Sequence, residues 1–180
     1  ANDFIRLQDR FPAYVIFPQC PEEQKWVETD WALKSGSGAF PETASDSMSM
    51  ALSVVDQIIA ENPVDADRTY VCGLSMGGYG TWFAAASKSK RFVAAIPVCG
   101  GGDPTWANRY AGVSIWATHC DADAAVPIVR SREMVAAIAT EGHWPEIRFT
   151  EYPGVGHDSW TQTFANDEVF QWLFSQRRAE

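Results

Sequence analysis

In the stretch YVCGLSMGGYGTW, Tyr70 to Trp82, a run of strand formers meets a serine set between glycines and passes at once into a helical pattern. No other feature restricts the fold as strongly. A strand that becomes a helix within a residue or two has to leave a sheet and cover it, which calls for stacked layers. The core of the stretch, GLSMG, fits G-x-S-x-G, a strained strand-to-helix turn that lifts the serine hydroxyl above the sheet. Glycines beside Ser75 leave room for that turn, and Gly78 and Gly80 are expected to let the helix pack tightly on the sheet.

The rest of the chain alternates in the same way. AYVIFP (Ala13 to Pro18) reads as a short buried strand ended by proline. An irregular stretch holding Trp26, Trp31 and a Ser/Gly-rich segment follows. Met48, Ala51, Leu52, Val55, Ile58 and Ile59 then recur at helical spacing, with Ser45 or Ser47 as cap and Asn62-Pro63 as terminator. RTYVCG predicts a strand, Met76 to about Ser89 a helix, FVAAIPVC a second strand and GVSIWATH a third. Pro127 to Glu141 predicts a helix opened by proline and closed by Gly142, EIRFTEY a fourth strand, and Val169, Phe170, Leu173 and Phe174 a last amphipathic helix from about Asp167. This alternation defines an α/β chain with a mainly parallel sheet flanked by helices. In such sheets, ligands are met in the loops beyond the carboxyl ends of the strands.

Composition narrows the partners. The 180 residues suit one domain, and 46% hydrophobic with 21% charged residues is an ordinary globular balance. A formal charge of −9 argues against nucleic acid or anionic lipid as partner. No apolar run approaches the roughly 18 residues of a membrane span. Cys20, Cys72, Cys99 and Cys120 form no C-x-x-C pair, so neither a zinc ribbon nor a thioredoxin motif is present, and Cys72 and Cys99 read as buried free thiols. The histidines are scattered and no glycine-rich nucleotide loop occurs, so neither a metal nor a cofactor is expected.

A serine hydroxyl reacts at neutral pH only when a base takes its proton and a third group orients that base. Three histidines are available. His143, in EGHWPE, falls between a helix and a strand at the wrong end of the sheet and reads as a solvated turn residue. His119 ends the third strand on the right face but precedes the acids, and is expected to brace the following loop by hydrogen bonding. His157, in the glycine-flanked loop PGVGHDSW, can swing over the sheet and is the candidate base. For the acid, HCDADAAVP offers Asp121 and Asp123, and Asp158 adjoins the histidine. Asp123 is preferred because it stands just ahead of Val126-Pro127, where the next helix begins; Asp121 is the alternative and a loop-stabilising residue otherwise.

Four motifs in order, RTYVCGLSMGGYGTW, PVCGGGDPTWANRY, H-x-x-x-D-x-x-V-P at His119 to Pro127, and EYPGVGHDSW, resemble the α/β-hydrolase esterases related to dienelactone hydrolase, LpqC-type depolymerases and prolyl oligopeptidase-like carboxylesterases. The resemblance runs from about Ala13 to the C-terminus. It implies an α/β-hydrolase fold, hydrolysis of a small-molecule carboxylic ester, Ser75 as nucleophile, Asp123 as acid, His157 as base and the Met76 N–H as an oxyanion donor, without cofactor or metal. Cys120 stands where these proteins usually have glycine. The upstream strand and H-G-x-G loop of the resembled family are not in the sequence. Residues 1–180 are therefore expected to be a single α/β-hydrolase domain lacking its N-terminal strands and truncated at its N-terminus. An N-terminal segment or a second chain would complete the sheet between the Ala13–Pro18 strand and the strand leading to Ser75.

Eight tryptophans are many for this length. Trp106 and Trp160 are expected to wall a substrate pocket on the active face, with Trp26 and Trp31 approaching from the first long loop. Trp82, Trp116 and Trp172 lie on periodic elements and are read as core. No insertion large enough for a lid interrupts the pattern, so short-chain esters are expected rather than long-chain triglycerides.

Overall fold

Strands β1 (Tyr70–Leu74), β2 (Ala94–Val98), β3 (Ser114–Cys120) and β4 (Ile147–Tyr152) lie side by side in sequence order and pair in parallel throughout. The register sets Leu74 opposite Val98, Val98 opposite Thr118 and Cys120 opposite Tyr152. All the strands therefore end at one edge of the sheet, and the loops that follow them share one rim. In this computed structural model, residues 2–31, 38–87, 91–142 and 146–178 are described.

Helices α2 (Asp46–Glu61), α3 (Met76–Ser87) and α4 (Val129–Glu141) and a 3-10 helix (Pro104–Tyr110) cover one face, and α6 (Asp167–Ser175) covers the other. The strand alternation separates two cores. Ala95, Ile115 and Ala117 face the larger one, with Trp82, Phe83, Tyr110, Met134 and Ile138. Ala94, Ile96, Val98 and Trp116 face the smaller one, where Trp116 meets Trp172 edge-on at 5.5 Å, a pairing worth about 0.5–1.5 kcal/mol beyond area burial. With both faces covered, β2 and β3 are buried at every position, which is why β2 reads as an unbroken apolar run and β3 keeps an apolar centre at Ile115–Ala117 between polar ends.

Local signals place the helix ends. Ser45 is the cap of α2, accepting from the Met48 N–H at 3.1 Å, while Ser47 is helical; the Asn62 N–H ends the helix on the Ile58 carbonyl. Gly142 closes α4 at φ +71°, a left-handed conformation that glycine adopts without a Cβ penalty. Pro127 lies outside that helix, which starts at Val129. The expected end of α3 near Ser89 and the turn residue His143 fall outside the described residues.

Ala13–Pro18 is not a strand. It pairs with nothing in the sheet, and Tyr14 and Phe17 are 56% and 55% exposed. An apolar run becomes a strand only where a neighbouring strand offers its ladder, and among the described residues β1 is bonded on the β2 side alone. Two short helices were invisible to periodicity. One, α1 (Asn2–Arg6), seats Phe4 against Phe17, Phe164 and Phe170; the other, α5 (Trp160–Ala165), precedes α6. None of the described helices is long and apolar enough to cross a membrane.

Candidate active site

Ser75 occupies the one residue between β1 and α3, at φ +54°. A non-glycine residue there is strained, and three bonds on its own backbone hold it: its N–H donates to the Val98 carbonyl at 2.9 Å, and its carbonyl accepts from the Gly78 and Tyr79 N–H groups at 2.8 and 3.2 Å. Close packing of α3 on β2 makes this geometry possible. A Cβ on Gly78 would lie 2.5 Å from the Val98 carbonyl oxygen and 3.0 Å from the Gly100 Cα. Gly80, by contrast, faces the side chain of Trp26 and not the sheet.

Above that serine lies His157. Its Nε2 is 2.8 Å from the Ser75 Oγ and its Nδ1 is 2.7 Å from the Asp123 Oδ2. Asp123 comes from the loop after β3, and its Oδ1 accepts from the Ala125 and Val126 N–H groups at 2.9 Å each. Its side chain is wholly buried, whereas that of His157 is 27% exposed. Burial pushes the Asp123 carboxyl up, but the His157 bond and the two backbone donors outweigh it and hold the group below its ordinary 3.8. The carboxylate is thus charged and oriented, with Nδ1 of His157 against it and Nε2 turned to the Ser75 hydroxyl.

The competing acids have other partners. Asp121 accepts from the Gly154 N–H at 2.7 Å and so ties the histidine loop to β3. Asp158 takes the Thr161 N–H and hydroxyl at 3.1 and 2.9 Å, capping the start of α5. His119 is fully buried, with Nδ1 2.8 Å from Ser131 Oγ and Nε2 2.9 Å from the Val126 carbonyl and 3.3 Å from Asp123 Oδ2. Its desolvation holds the ring below its ordinary 6.5 despite the Val126 bond and the Asp123 charge.

Cys99 was read from sequence only as a buried thiol, and it does more. It follows the last residue of β2 at φ +45°, and its Sγ lies 2.6 Å from Ser159 Oγ and 3.3 Å from the His157 carbonyl, pinning the histidine loop to the sheet. Burial pushes this thiol up to about 11 and that of Cys72 to about 12, so both stay protonated near neutrality. All four cysteines are free. The fold also gathers donor atoms of Cys99, Asp123 and His157 within 4.8 Å of one another, a set that linear spacing did not reveal. Two of its members are already bonded to each other and the third to Ser159.

The tryptophans divide. Trp160 stands edge-on to the His157 ring with centroids 5.3 Å apart, on the rim of the site. Trp106 is only 4% exposed and packs in the larger core against Phe40 and Phe83, so it does not wall a pocket here; the side chain that faces outward over it is Arg109, at 3.8 Å. Trp31 meets Tyr79 edge-on and borders an open cleft with Lys25, Glu28, Thr29 and Asp30, which Ser75, Asp123 and His157 do not line. Met76 opens α3, so its N–H is a first-turn donor beside the serine with no acceptor in the helix's own ladder.

A parallel sheet covered on both faces, with a serine at a strand-to-helix elbow and an acid and a histidine on the loops of the same rim, defines the α/β-hydrolase fold. The sequence profile of the Phospholipase/Carboxylesterase family matches residues 16–170, and the chain belongs to that family. Among solved structures, a thermostable esterase is 34% identical with a TM-score of 0.79, over 89% of this chain and 43% of that one. The present chain thus spans less than half the length of that relative. A variant of Arabidopsis thaliana SOBER1 is 19% identical (TM-score 0.65, 83% of this chain, 72% of that one). The Pyrococcus horikoshii acylaminoacyl peptidase is 16% identical (TM-score 0.64, 75% and 28%). No curated protein matches.

Proposed function

We propose that the chain is a serine carboxylesterase that hydrolyses short-chain carboxylic esters through Ser75, His157 and Asp123. The observation that supports this most is the unbroken hydrogen-bonded path from Ser75 Oγ through both ring nitrogens of His157 to a charged, buried carboxylate. In the reaction, His157 Nε2 takes the Ser75 proton as Oγ attacks the ester carbonyl. The oxyanion is held by the Met76 N–H, the protonated ring returns its proton to the leaving alcohol, and water releases the acyl group by the same route. Asp123 keeps the proton on Nδ1 and stabilises the imidazolium without taking the proton.

An oxyanion hole needs two donors, and losing one costs on the order of 10²–10³ in rate. Among the described residues β1 is bonded on its β2 side alone, which supports a role for a further strand, from an N-terminal segment or a second chain, that completes the sheet and brings the second donor. Trp160 is assigned to the substrate side of the site because it is the aromatic ring against His157. Feruloyl and acetyl esters and peptides are the alternative substrates, since a feruloyl esterase module from Clostridium thermocellum and an acylaminoacyl peptidase share the fold.

The test is p-nitrophenyl butyrate hydrolysis by the chain and its Ser75→Ala variant, with fluorophosphonate labelling of both. Hydrolysis and labelling lost together in the variant would support the reading. A wild-type chain that neither turns over nor labels would be a silent binding domain. Palmitate cleaved faster than butyrate would refute the short-chain assignment.

A further inference from the structure

His119 is a buried titratable group beside the site for which the mechanism above has no use. It lies on β3, one turn of chain before Asp123, with both ring nitrogens in contact and no exposure to water. The partners on the Nε2 side are the Val126 carbonyl at 2.9 Å and Asp123 Oδ2 at 3.3 Å. Both are acceptors only, so the geometry requires a proton on Nε2. On the other side, Nδ1 is 2.8 Å from Ser131 Oγ, whose hydroxyl also lies 2.8 Å from the Gly100 carbonyl.

Counting protons fixes the roles. A carbonyl cannot donate, so Ser131 can give its single proton either to Gly100 or to Nδ1. Desolvation keeps the ring neutral, with one proton to place, and the two acceptors on the Nε2 side claim it. Nδ1 is then an acceptor, and Ser131 shares its proton between two takers. The network is one proton short of complete, and the shortage falls on the Ser131 side, away from Asp123.

The consequence lies in Asp123. Its Oδ1 is fixed by two backbone donors, but its Oδ2, the atom that holds His157, has only side-chain donors among the described residues: His157 at 2.7 Å and His119 at 3.3 Å. His119 also holds the Val126 carbonyl, and the Val126 N–H is one of the two donors on Oδ1. One ring therefore grips both ends of the turn that presents the acid. Through Ser131 and Gly100 it reaches further, because the Gly100 backbone is the surface on which Gly78 of α3 rests.

The geometry points to His119 as a positioning residue that sets the plane of the Asp123 carboxylate, and through it the aim of His157 at Ser75. This rests on the esterase reading for its kinetic consequence and on geometry alone for its structural one.

Two polar substitutions separate the two sides of the ring. The amide of His119→Gln reaches the Nε2 position and can still donate to Val126 and Asp123. That of His119→Asn reaches only the Nδ1 position, keeping Ser131 and losing the acid. With p-nitrophenyl butyrate, His119→Asn is expected to lower kcat about 10- to 100-fold, the scale of a small misalignment of reacting groups, with little change in KM. His119→Gln is expected to stay close to the wild type. The low-field proton resonance of His157 Nδ1–H should shift or broaden in His119→Asn and persist in His119→Gln. Equal kcat in the two variants, or an unshifted resonance in both, would overturn the assignment.

Should either variant fail to fold, nitrogen NMR of the wild-type ring decides, because a His119 without a proton on Nε2 is incompatible with the role. If the wild-type chain hydrolyses nothing, the esterase reading fails by that result. The tautomer and the His157 resonance still test the positioning.

Discussion

Replacing Gly78 with alanine should disable the site from beneath without touching a reacting group. The added Cβ would lie 2.5 Å from the Val98 carbonyl oxygen and 3.0 and 3.1 Å from the Gly100 Cα and N. Comfortable contacts begin near 3.5 Å, so α3 and β2 have to separate by about 1 Å. All the opposing atoms are backbone, which leaves no rotamer to relieve the clash. The Val98 carbonyl is also the acceptor for the Ser75 N–H, at 2.9 Å, so the same movement stretches the bond that sets the elbow. Overpacking of this kind costs about 1–3 kcal/mol. In a chain of this size that is a fall in Tm of roughly 2–12 °C. Displacing Ser75 Oγ from its 2.8 Å contact with His157 by a comparable distance should lower kcat about 10²-fold. Gly77→Ala is the control: a Cβ there meets nothing within 4 Å, and alanine in a helix is favoured by up to about 1 kcal/mol. Calorimetry and p-nitrophenyl butyrate kinetics on the pair would settle the matter. A Gly78→Ala chain as stable and active as Gly77→Ala would refute the packing argument.

Other expectations follow from the same geometry. Asp123→Asn should lower kcat by about 10³–10⁴ with the fold intact, because an amide N–H facing Nδ1 moves the ring proton to Nε2 and leaves the serine without a base; a loss under tenfold in stopped-assay kinetics would count against it. Stability should fall on acidification. His119 is held below 6.5 and Asp123 below 3.8, so their contributions are complete above those values and are lost as pH falls through the depressed native ones; a thermal midpoint that stays level from neutrality into acid would contradict this. With its side chain fully buried and its thiol pushed up to about 11, Cys99 should react with Ellman's reagent at neutral pH only as fast as the chain opens, and rapid native labelling of it would show that the burial argument fails.

Much of this was legible in the residues, and the reasons differ by element. β2 announced itself because both faces are buried and AAIPV carries no polar side chain, and β3 because Ile115, Trp116 and Ala117 keep an apolar centre although Ser114, Thr118 and His119 are polar. Ser75 was legible because its turn admits few sequences, and Asp123 and His157 because chain order limited the candidates. Ala13–Pro18 was misread for the opposite reason: its composition suits a strand, but pairing is supplied by a neighbour and not by composition. Trp106 was placed on the rim by its distance from β2, whereas the 3-10 helix after Asp103 turns it inward against Phe40. The braces around the site, Cys99 with Ser159 and His119 with Ser131, join residues 60 and 12 positions apart, and no local pattern encodes such contacts.

Ser75 and Cys99, at the tips of adjacent strands, both hold left-handed backbone angles that ordinary side chains avoid, at a cost of about 1–3 kcal/mol each. With Glu23, at φ +61°, they are the described non-glycine residues that adopt such angles, and two of these three points of discomfort are therefore the serine of the elbow and the thiol that pins the His157 loop. For anyone improving this protein for heat resistance, that sets a trap. Glycine in place of Ser75 would relax the backbone and raise the melting point, so a screen that scores survival alone will favour chains that endure and no longer work.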